Sequence, residues 1–286
     1  MWMLLVLVYG LLKGTREIVK KKSLEKSSVM EVLFFYTLFA FLFVCPDAKN
    51  AMGISGRMLV FVALKSFIIF LAWMFSFKAI KKMPLSIYGI LDLSRVLFAT
   101  LLGAVVLKER MTTYQVLGLI LVATGLLMLK FRIGGNKEKK PEEKEDVRPI
   151  LVVFAIASCM LNALSGLMDK ILMKDLNSSQ LQFWYMLFLV LFYLVYIIVS
   201  KTKIDFIKSA KNHWIWILAI LFVIADRALF LANGMDASRI TVMTLIKQSG
   251  CIVTILGGKF IFKEKNIGYK LICAAIIVSG IVIAVL

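Results

Sequence analysis

Apolar residues along this chain form ten long runs, separated by short polar stretches. A helix that crosses a bilayer needs about 20 mostly apolar residues, and each run is close to that length. Because the bilayer core offers no water to peptide groups, such segments are expected to be helical. The pattern therefore predicts ten membrane-spanning helices, over residues 2–19, 29–46, 58–77, 84–107, 112–131, 150–169, 180–200, 213–233, 240–262 and 267–286.

One long polar stretch, "RIGGNKEKKPEEKEDVRP" at residues 132–149, lies between the fifth and sixth runs. Its many charges, its two glycines and Pro141 favour a solvated loop. The loop divides the chain into a first module at residues 1–131 and a second module at residues 150–286, each with five predicted spans.

The two modules resemble each other in sequence. A shift of 155 residues aligns "LLGAVVLKERMTTYQVLGLILVATGLLML" from Leu101 with "LGGKFIFKEKNIGYKLICAAIIVSGIVIA" from Leu256. A shift of 152 residues aligns Gly14 with Gly166. A repeat with an odd number of spans enters the membrane from the opposite side, so the pattern predicts an inverted repeat, which is common in transporters.

These features resemble the drug/metabolite transporter superfamily, in particular its ten-helix EamA-like branch. The resemblance is carried by "LLGAVVLKERMT" and "GGKFIFKEKN", each followed by a span that contains a glycine, Gly125 or Gly280. The first span departs from the family's usual tryptophan-glycine pair, because it reads Lys13-Gly14. The resemblance implies an all-α membrane protein of ten transmembrane helices, built as two inverted five-helix repeats. It also implies the plasma (inner) membrane of a bacterium or archaeon.

Composition and charge agree with a membrane protein. Hydrophobic residues make up 61% of the chain, whereas a soluble domain is about half apolar. The net charge is +18, and the odd-numbered loops hold 21 Lys and Arg against 7 in the even-numbered loops. The positive-inside rule then places the odd loops in the cytoplasm and both termini outside, whereas similar transporters are usually drawn with both termini inside. The basic loops are expected to meet anionic headgroups, so the bilayer rather than nucleic acid is the predicted partner.

Several ionisable residues lie well inside the apolar runs. Each costs about 2.5–3.5 kcal/mol at the centre of a span, so it is expected to pair or to line a wet cavity. Asp92 and Lys247 correspond under the 155-residue shift, and Arg95 lies one helical turn from Asp92. If the fourth and ninth spans meet at the repeat axis, as in similar proteins, these charges face one central space. An ion pair of Asp92 with Lys247 or Arg95 that only fastens helices is the alternative.

The candidate site residues follow from this placement at mid-depth. The predicted substrate-binding residues are Arg95, Lys247, Asp92, Lys13, Lys65, Arg227, Tyr88 and Gln248. The predicted proton-coupling residues are Asp92, Asp226, Glu17 and Asp169. For Tyr88 the alternative is filling core space, and for Glu17 and Asp169 it is a salt bridge at a helix end.

The leading hypothesis is a secondary transporter, an exporter or an importer, that moves a small polar metabolite by alternating access. No nucleotide-binding motif is present, so the driving energy must come from a gradient. The excess of basic residues at mid-depth favours an anionic or zwitterionic metabolite, held by Arg95 and Lys247.

The alternative hypotheses are a membrane-embedded enzyme and a non-transporting channel or scaffold protein. His213 is the only histidine, no HExxH motif is present and the four cysteines are scattered, which argues against an enzyme and against a metal site. No cofactor is predicted. The expected partners are the small-molecule substrate and the bilayer, and the expected assembly is a monomer or a homodimer.

Overall fold

The computed structural model describes residues 2–106, 112–134, 147–233, 235, 246–264 and 266–285. Over these residues the chain is α-helical and contains no strand, which confirms the predicted all-α class. The helices are α1 (Trp2–Lys26), α2 (Val29–Val44), α3 (Ala48–Ala51), α4 (Gly56–Lys82), α5 (Leu85–Asp92), α6 (Arg95–Val106), α7 (Thr113–Gly134), α8 (Pro149–Leu172), α9 (Ser178–Ser200), α10 (Phe206–Ala210), α11 (His213–Asn233), α12 (Ser249–Phe260) and α13 (Ile267–Val285). A 3-10 turn, Cys45–Asp47, joins α2 to α3.

Five helical segments are long and apolar enough to cross a bilayer by length and composition: Val29–Ala51, Gly56–Lys82, Pro149–Asp169, Ser178–Ser200 and His213–Ala232. Shorter apolar segments cover Val116–Met128, Ser249–Phe260 and Ile267–Ile283. The helix α1 has the length of a span but carries eight charged residues from its centre to its C-terminus, and the first four are Lys13, Arg16, Glu17 and Lys20. The ten-span count therefore stays a prediction.

Some sequence predictions fall on residues outside the described part. The loop at 132–149 is described only at its two ends, and the ninth run only from residue 246. Within the first repeat motif, Lys108 and Glu109 are also outside the described residues.

The fourth apolar run is not one continuous helix. A turn at Leu93 and Ser94 separates α5 from α6, and its backbone bonds run from Ser94 N to Leu91 O and from Val96 N to Leu93 O. Bonds between residues three apart tighten the chain and often mark a hinge inside a helix. The ninth run has a similar turn at Gln248, whose carbonyl accepts a bond from Cys251 N at 2.9 Å. Under the 155-residue shift Gln248 corresponds to Leu93, so the two turns occupy matching positions.

The helix contacts of the first module have counterparts in the second module. The helix α1 packs against α11 and α12, while α8, which follows the loop, packs against α4 and α6. The contacts α2 with α9, α5 with α12 and α7 with α13 each join one module to the other. The central layer therefore consists of α1, α5, α6, α8 and α12, and it holds the site described below.

Two helix pairs approach closely at glycines. A Cβ atom at Gly250 would lie 2.6 Å from Gly10 O and 3.1 Å from Gly14 N, so α1 and α12 touch backbone to backbone. A Cβ atom at Gly280 would lie 2.7 Å from Gly118 O, which fixes the crossing of α7 and α13. Small residues at helix crossings allow this separation, as is usual in membrane helix pairs.

Contacts between helix ends place the odd-numbered loops on one face of the bundle. Lys81 Nζ donates to Ser27 O at 3.1 Å, and Asn212 Nδ2 donates to Ser23 O at 3.1 Å. On the opposite face, Asn177 Nδ2 in the sixth loop donates to Asn50 O at 3.4 Å, and Trp184 Nε1 in α9 donates to Ala51 O at 2.9 Å. Over the described loops, this alternation agrees with the order expected from the charge count.

The N-terminus of α5 is capped by a carboxylate from another part of the chain. Glu264, between α12 and α13, accepts hydrogen bonds from Leu85 N, from Ser86 N at 3.1 Å and from the Ser86 hydroxyl. The first peptide N–H groups of a helix have no partner within the helix, so an acid there satisfies them and complements the helix dipole. This contact ties the ninth loop to the start of the discontinuous helix pair.

Two lysines balance the charge of Glu264. Lys21 Nζ and Lys270 Nζ each lie 3.6 Å from one of its carboxylate oxygens. Burial alone would raise the pKa of Glu264, but the hydrogen bonds from Ser86 and these two cations outweigh burial. The pKa therefore lies below its ordinary value of 4.5.

Replacing Glu264 with glutamine is expected to lower the free energy of unfolding by about 1.5–3 kcal/mol, the range for hydrogen bonds to a charged group. Because the folded pKa is lowered, the stabilisation is complete above pH 4.5 and is lost as the pH falls below that value. Unfolding in detergent, measured at neutral and acidic pH, checks both statements. The control is Glu25→Gln, whose half-exposed ion pair with Lys22 should contribute about 0–1 kcal/mol. Equal losses for the two variants at neutral pH would contradict the cap.

Candidate functional site

Asp92 is the centre of a buried ionic cluster in the middle of the bundle. Its Oδ2 lies 2.6 Å from Lys13 Nζ, and its Oδ1 lies 2.8 Å from Arg95 Nη2. The side chains of Asp92 and Lys13 are about nine-tenths buried. We call Lys13, Asp92 and Arg95 the Asp92 cluster. It places a single carboxylate between two cations that come from different helices.

The turn between α5 and α6 positions this cluster. Asp92 is the last residue of α5 and Arg95 the first of α6, so the two residues flank the turn, and Asp92 reaches Lys13 on α1. From α8, the Cys159 thiol lies 3.6 Å from Leu91 O and 3.9 Å from Asp92 Oδ1. Arg95 Nε is buried without a hydrogen-bond partner in the described part of the chain. The cluster therefore keeps one unused donor.

A second buried cluster lies beside the first and consists of Arg16, Tyr185 and Asp226. Asp226 accepts a hydrogen bond from the Tyr185 hydroxyl at 2.7 Å and lies 3.4 Å from Arg16 Nη1. Lys65 is 3% exposed, and its Nζ lies 2.7 Å from Asp169 and 4.0 Å from the centre of the Tyr185 ring. Asp226 on the eighth predicted span and Asp169 on the sixth, both predicted proton-coupling residues, are therefore each paired with a cation.

On α1, Glu17 and Lys20 form a third ion pair at 2.7 Å. Lys20 Nζ lies 4.7 Å from the centre of the Phe77 ring and 5.9 Å from that of Tyr88. Tyr88 itself shares a 2.6 Å hydrogen bond with the Ser76 hydroxyl. Glu17 is thus paired with a cation of its own helix, whereas Asp169, its counterpart in the repeat, is paired with Lys65 from α4.

Lys247 is not paired directly with a carboxylate among the described residues, although Asp169 and Asp226 attract it from a greater distance. Its Nζ is 5.9 Å from the centre of the Tyr9 ring, and among the described residues it forms no ion pair within 4 Å. The predicted Asp92–Lys247 pair is therefore not formed, because Lys13 from α1 occupies that side of the carboxylate. The pair of Asp92 with Arg95, the other predicted pairing, is present.

A small cavity of about 10 Å³ lies between these groups. Its lining includes Lys13, Glu17, Tyr88, Asp92 and Gln248, from α1, α5 and the turn before α12. A volume of this size holds about one water molecule. The cavity therefore has no room for a metabolite, which could enter only if the helices around it separated.

The predicted candidates are thus only partly brought together. Lys13, Asp92, Arg95, Tyr88 and Gln248 meet at or beside the cavity. Lys65, Asp169 and Asp226 lie in the neighbouring pairs. Arg227 lies elsewhere, where it donates to Ser179 at 3.1 Å and to Asp47, which follows α2.

Sequence reasoning missed three members of the buried network, Arg16, Lys20 and Tyr185. The spacing of Lys13, Glu17 and Lys20 places them along one side of α1, a signal that could have identified a charged helix face. Nothing in the order of residues relates Tyr185 to Asp226, because their contact depends on how α9 and α11 pack.

The helices and the buried ionic clusters fit a multi-pass, all-helical membrane protein. Comparison with known families narrows this class: the model of the EamA-like transporter family matches residues 1–131. The match confirms the resemblance to drug/metabolite transporters, which was based on sequence motifs. Members of this family are transporters, so the match suggests a membrane transporter rather than an enzyme.

Comparison with solved structures extends the similarity over the whole chain. One solved chain, described only as "Crystal structure of protein", superimposes with a TM-score of 0.65 at 17% sequence identity. The alignment covers 99% of this chain and 96% of that chain. At this identity the similarity shows a common fold alone. No curated protein matches this sequence.

Proposed function

We propose that the chain is a gradient-driven secondary transporter with ten spans in two inverted repeats, in the plasma membrane of a bacterium or archaeon. The matching turns at Leu93 and Gln248 support the repeat, as does the correspondence of helix contacts between the modules. Discontinuous helices at corresponding positions commonly mark the binding site of a transporter with inverted repeats. Here both turns lie at the cavity.

The proposed substrate is a small anionic or zwitterionic metabolite. The observation that carries this proposal is the group of cations beside the cavity, whose own lining holds Lys13 together with the acids Glu17 and Asp92. Lys13, Arg95 and Lys247 are three cations near one another, and Lys13 and Arg95 share the single carboxylate of Asp92. The other acid of the lining, Glu17, is paired with Lys20. Lys247 is attracted by Asp169 and Asp226 only from a greater distance. A carboxylate or phosphate would complete the balance through charge-assisted hydrogen bonds.

Buried polar groups beside the two turns also support a ligand. Ser249 Oγ is buried without a hydrogen-bond partner in the described residues, as is Arg95 Nε. Ser94 Oγ, at the position that corresponds to Ser249, has no nitrogen or oxygen partner. A buried donor without a partner costs about 1–3 kcal/mol, so a substrate that accepts from these groups would gain that free energy.

Alternating access follows from competition for the cations. In the closed state the Asp92 carboxylate occupies Lys13 and Arg95, and the cavity has no room for a metabolite. Once the helices separate, a substrate anion would compete with Asp92 for both cations. If Asp92 takes up a proton at that step, its hold on Lys13 and Arg95 weakens and the proton moves with the substrate. Glu17, Asp169 and Asp226 remain further candidates for the coupling proton.

Reconstituted full-length protein tests the proposal by counterflow of labelled metabolite pools: carboxylates, phosphate esters, zwitterions and cationic amines. Uptake of an anion or zwitterion is expected, and Arg95→Gln should reduce it about 10- to 150-fold, since a hydrogen bond to a charged group contributes about 1.5–3 kcal/mol. The matched control is Arg57→Gln, an exposed arginine at the start of α4. Full activity of both Arg95→Gln and Lys247→Gln would move the site elsewhere. Non-saturating ion currents would indicate a channel instead.

A further inference from the structure

An open pocket of about 430 Å³ lies outside the central site, on the face that holds the odd-numbered loops. It is lined by the end of α1, by α10 and by the residue before α11: Glu25, Lys26, Lys208, Lys211 and Asn212. The proposed transport mechanism uses none of these residues. From the chemistry of this pocket we propose that it binds the phosphate headgroup of an anionic phospholipid.

The charges of the pocket are unbalanced. Lys26, Lys208 and Lys211 are exposed, and in the described part of the chain none of the three ammonium groups forms an ion pair. The only acid in the lining, Glu25, is already paired with Lys22 at 3.3 Å. Lys208 is also attracted by Glu31 from beyond 4 Å. Three ammonium groups around one concave surface still outnumber the acids there, so they complement a phosphate diester and repel cations.

The floor of the pocket is preformed by hydrogen bonds. Asn212 is 4% exposed and donates to Ser23 O at 3.1 Å and to the Ser27 hydroxyl at 3.0 Å. These bonds hold the residue before α11 against the end of α1. The positions of the surrounding lysines along the backbone are therefore fixed before a ligand arrives, which reduces the entropy lost on binding.

The surroundings place the pocket at the level of lipid headgroups. Trp216, on the first turn of α11, donates through Nε1 to Ala210 O at 2.9 Å and is partly exposed. Tryptophan is enriched at the boundary between headgroups and acyl chains. Beside it, the short helix α10 exposes Phe206 at 60% and Ile207 at 71%. Apolar side chains next to lysines fit a lipid, whose acyl chains lie below its phosphate, better than a soluble phosphate.

The test titrates the purified full-length protein in mild detergent with phosphatidylglycerol or phosphatidylcholine and counts bound lipid by native mass spectrometry. We expect a tight phosphatidylglycerol site, and no such site for phosphatidylcholine. The triple variant Lys26→Gln, Lys208→Gln, Lys211→Gln should weaken phosphatidylglycerol binding by roughly 100-fold, at about fivefold for each basic residue.

A matched triple variant, Lys78→Gln, Lys82→Gln, Lys203→Gln, removes the same charge from exposed lysines on the same face. It should leave the tight site unchanged. An equal loss of phosphatidylglycerol binding in both triple variants would show that the effect comes from general surface charge, and it would contradict the proposed site. Equal binding of phosphatidylcholine, or displacement of the lipid by glycerol phosphate alone, would overturn the assignment to a phospholipid.

Discussion

Asp92→Asn is expected to cause the largest loss of stability among single changes in the central clusters, about 3–5 kcal/mol in the free energy of unfolding. The reason is that Lys13 would stay buried, and Arg95 partly buried, without their shared counter-charge. Thermal unfolding in detergent, followed with a thiol-reactive dye, measures the loss, because the thiols of Cys159, Cys251 and Cys273 are buried in the folded protein.

Two further variants isolate the cause of this loss. Asp175→Asn removes an acid from an exposed loop and should change stability very little. The double variant Asp92→Asn, Lys13→Met removes one of the two stranded cations, so it should be more stable than Asp92→Asn alone. If the double variant is less stable than Asp92→Asn alone and also less stable than Lys13→Met alone, the ion pair contributes nothing to stability and the explanation is wrong.

Asp92→Asn also tests whether Asp92 couples transport to a pH gradient. An asparagine at position 92 resembles the protonated acid in shape and charge. If Asp92 carries the coupling proton, Asp92→Asn should retain counterflow of the substrate but lose uptake driven by an imposed pH gradient. A variant that still responds fully to the pH gradient would assign the coupling to another acid, with Asp226 and Asp169 next to be tested.

The fold class could be predicted from the sequence because it depends on local pattern. Runs of about 20 apolar residues must be helical in a bilayer whatever their neighbours are. The turn at Leu93 and Ser94 could not be predicted in this way, because those residues are as apolar or small as the rest of their run. Its tightened backbone bonds reflect packing against α8 and α12.

The pair of Asp92 with Arg95 could be predicted from the sequence, but the second partner of Asp92 could not. The free-energy cost of placing a charged side chain inside the bilayer indicated that Asp92 and Arg95 would be paired or face a cavity. The partner of Asp92 from a helix other than α5 and α6 was not evident, because the symmetry of the repeat favoured Lys247. The partner observed is Lys13, because Gly10 and Gly14 let α1 lie directly against α12 and bring Lys13 to the carboxylate. Which helices touch depends on such crossings, and the spacing of charges along one helix does not encode them.

Gly14→Ala and Gly166→Ala are expected to change stability in opposite directions, although the two glycines correspond in the repeat. A Cβ atom at Gly14 would lie 2.5 Å from Gly250 O and 2.6 Å from Val253 Cβ, so α1 and α12 would have to separate. Such overpacking costs about 1–3 kcal/mol and sometimes more. At Gly166 a Cβ atom meets nothing within 4 Å. Alanine there should gain about 0.5–1 kcal/mol from helix propensity.

Larger side chains at the same two positions would test alternating access itself. If the two modules exchange conformations during transport, the crossing of α8 with α6 becomes the tight one in the opposite state, and Gly166 then takes the place that Gly14 has here. Gly166→Leu should therefore be as stable as the native protein and yet lose transport activity. Gly14→Leu should lose both stability and transport activity. Native transport rates in Gly166→Leu would show that the α8 crossing never closes. The modules would then not exchange conformations, and any opening of the central cavity would come from α1 and α12 alone.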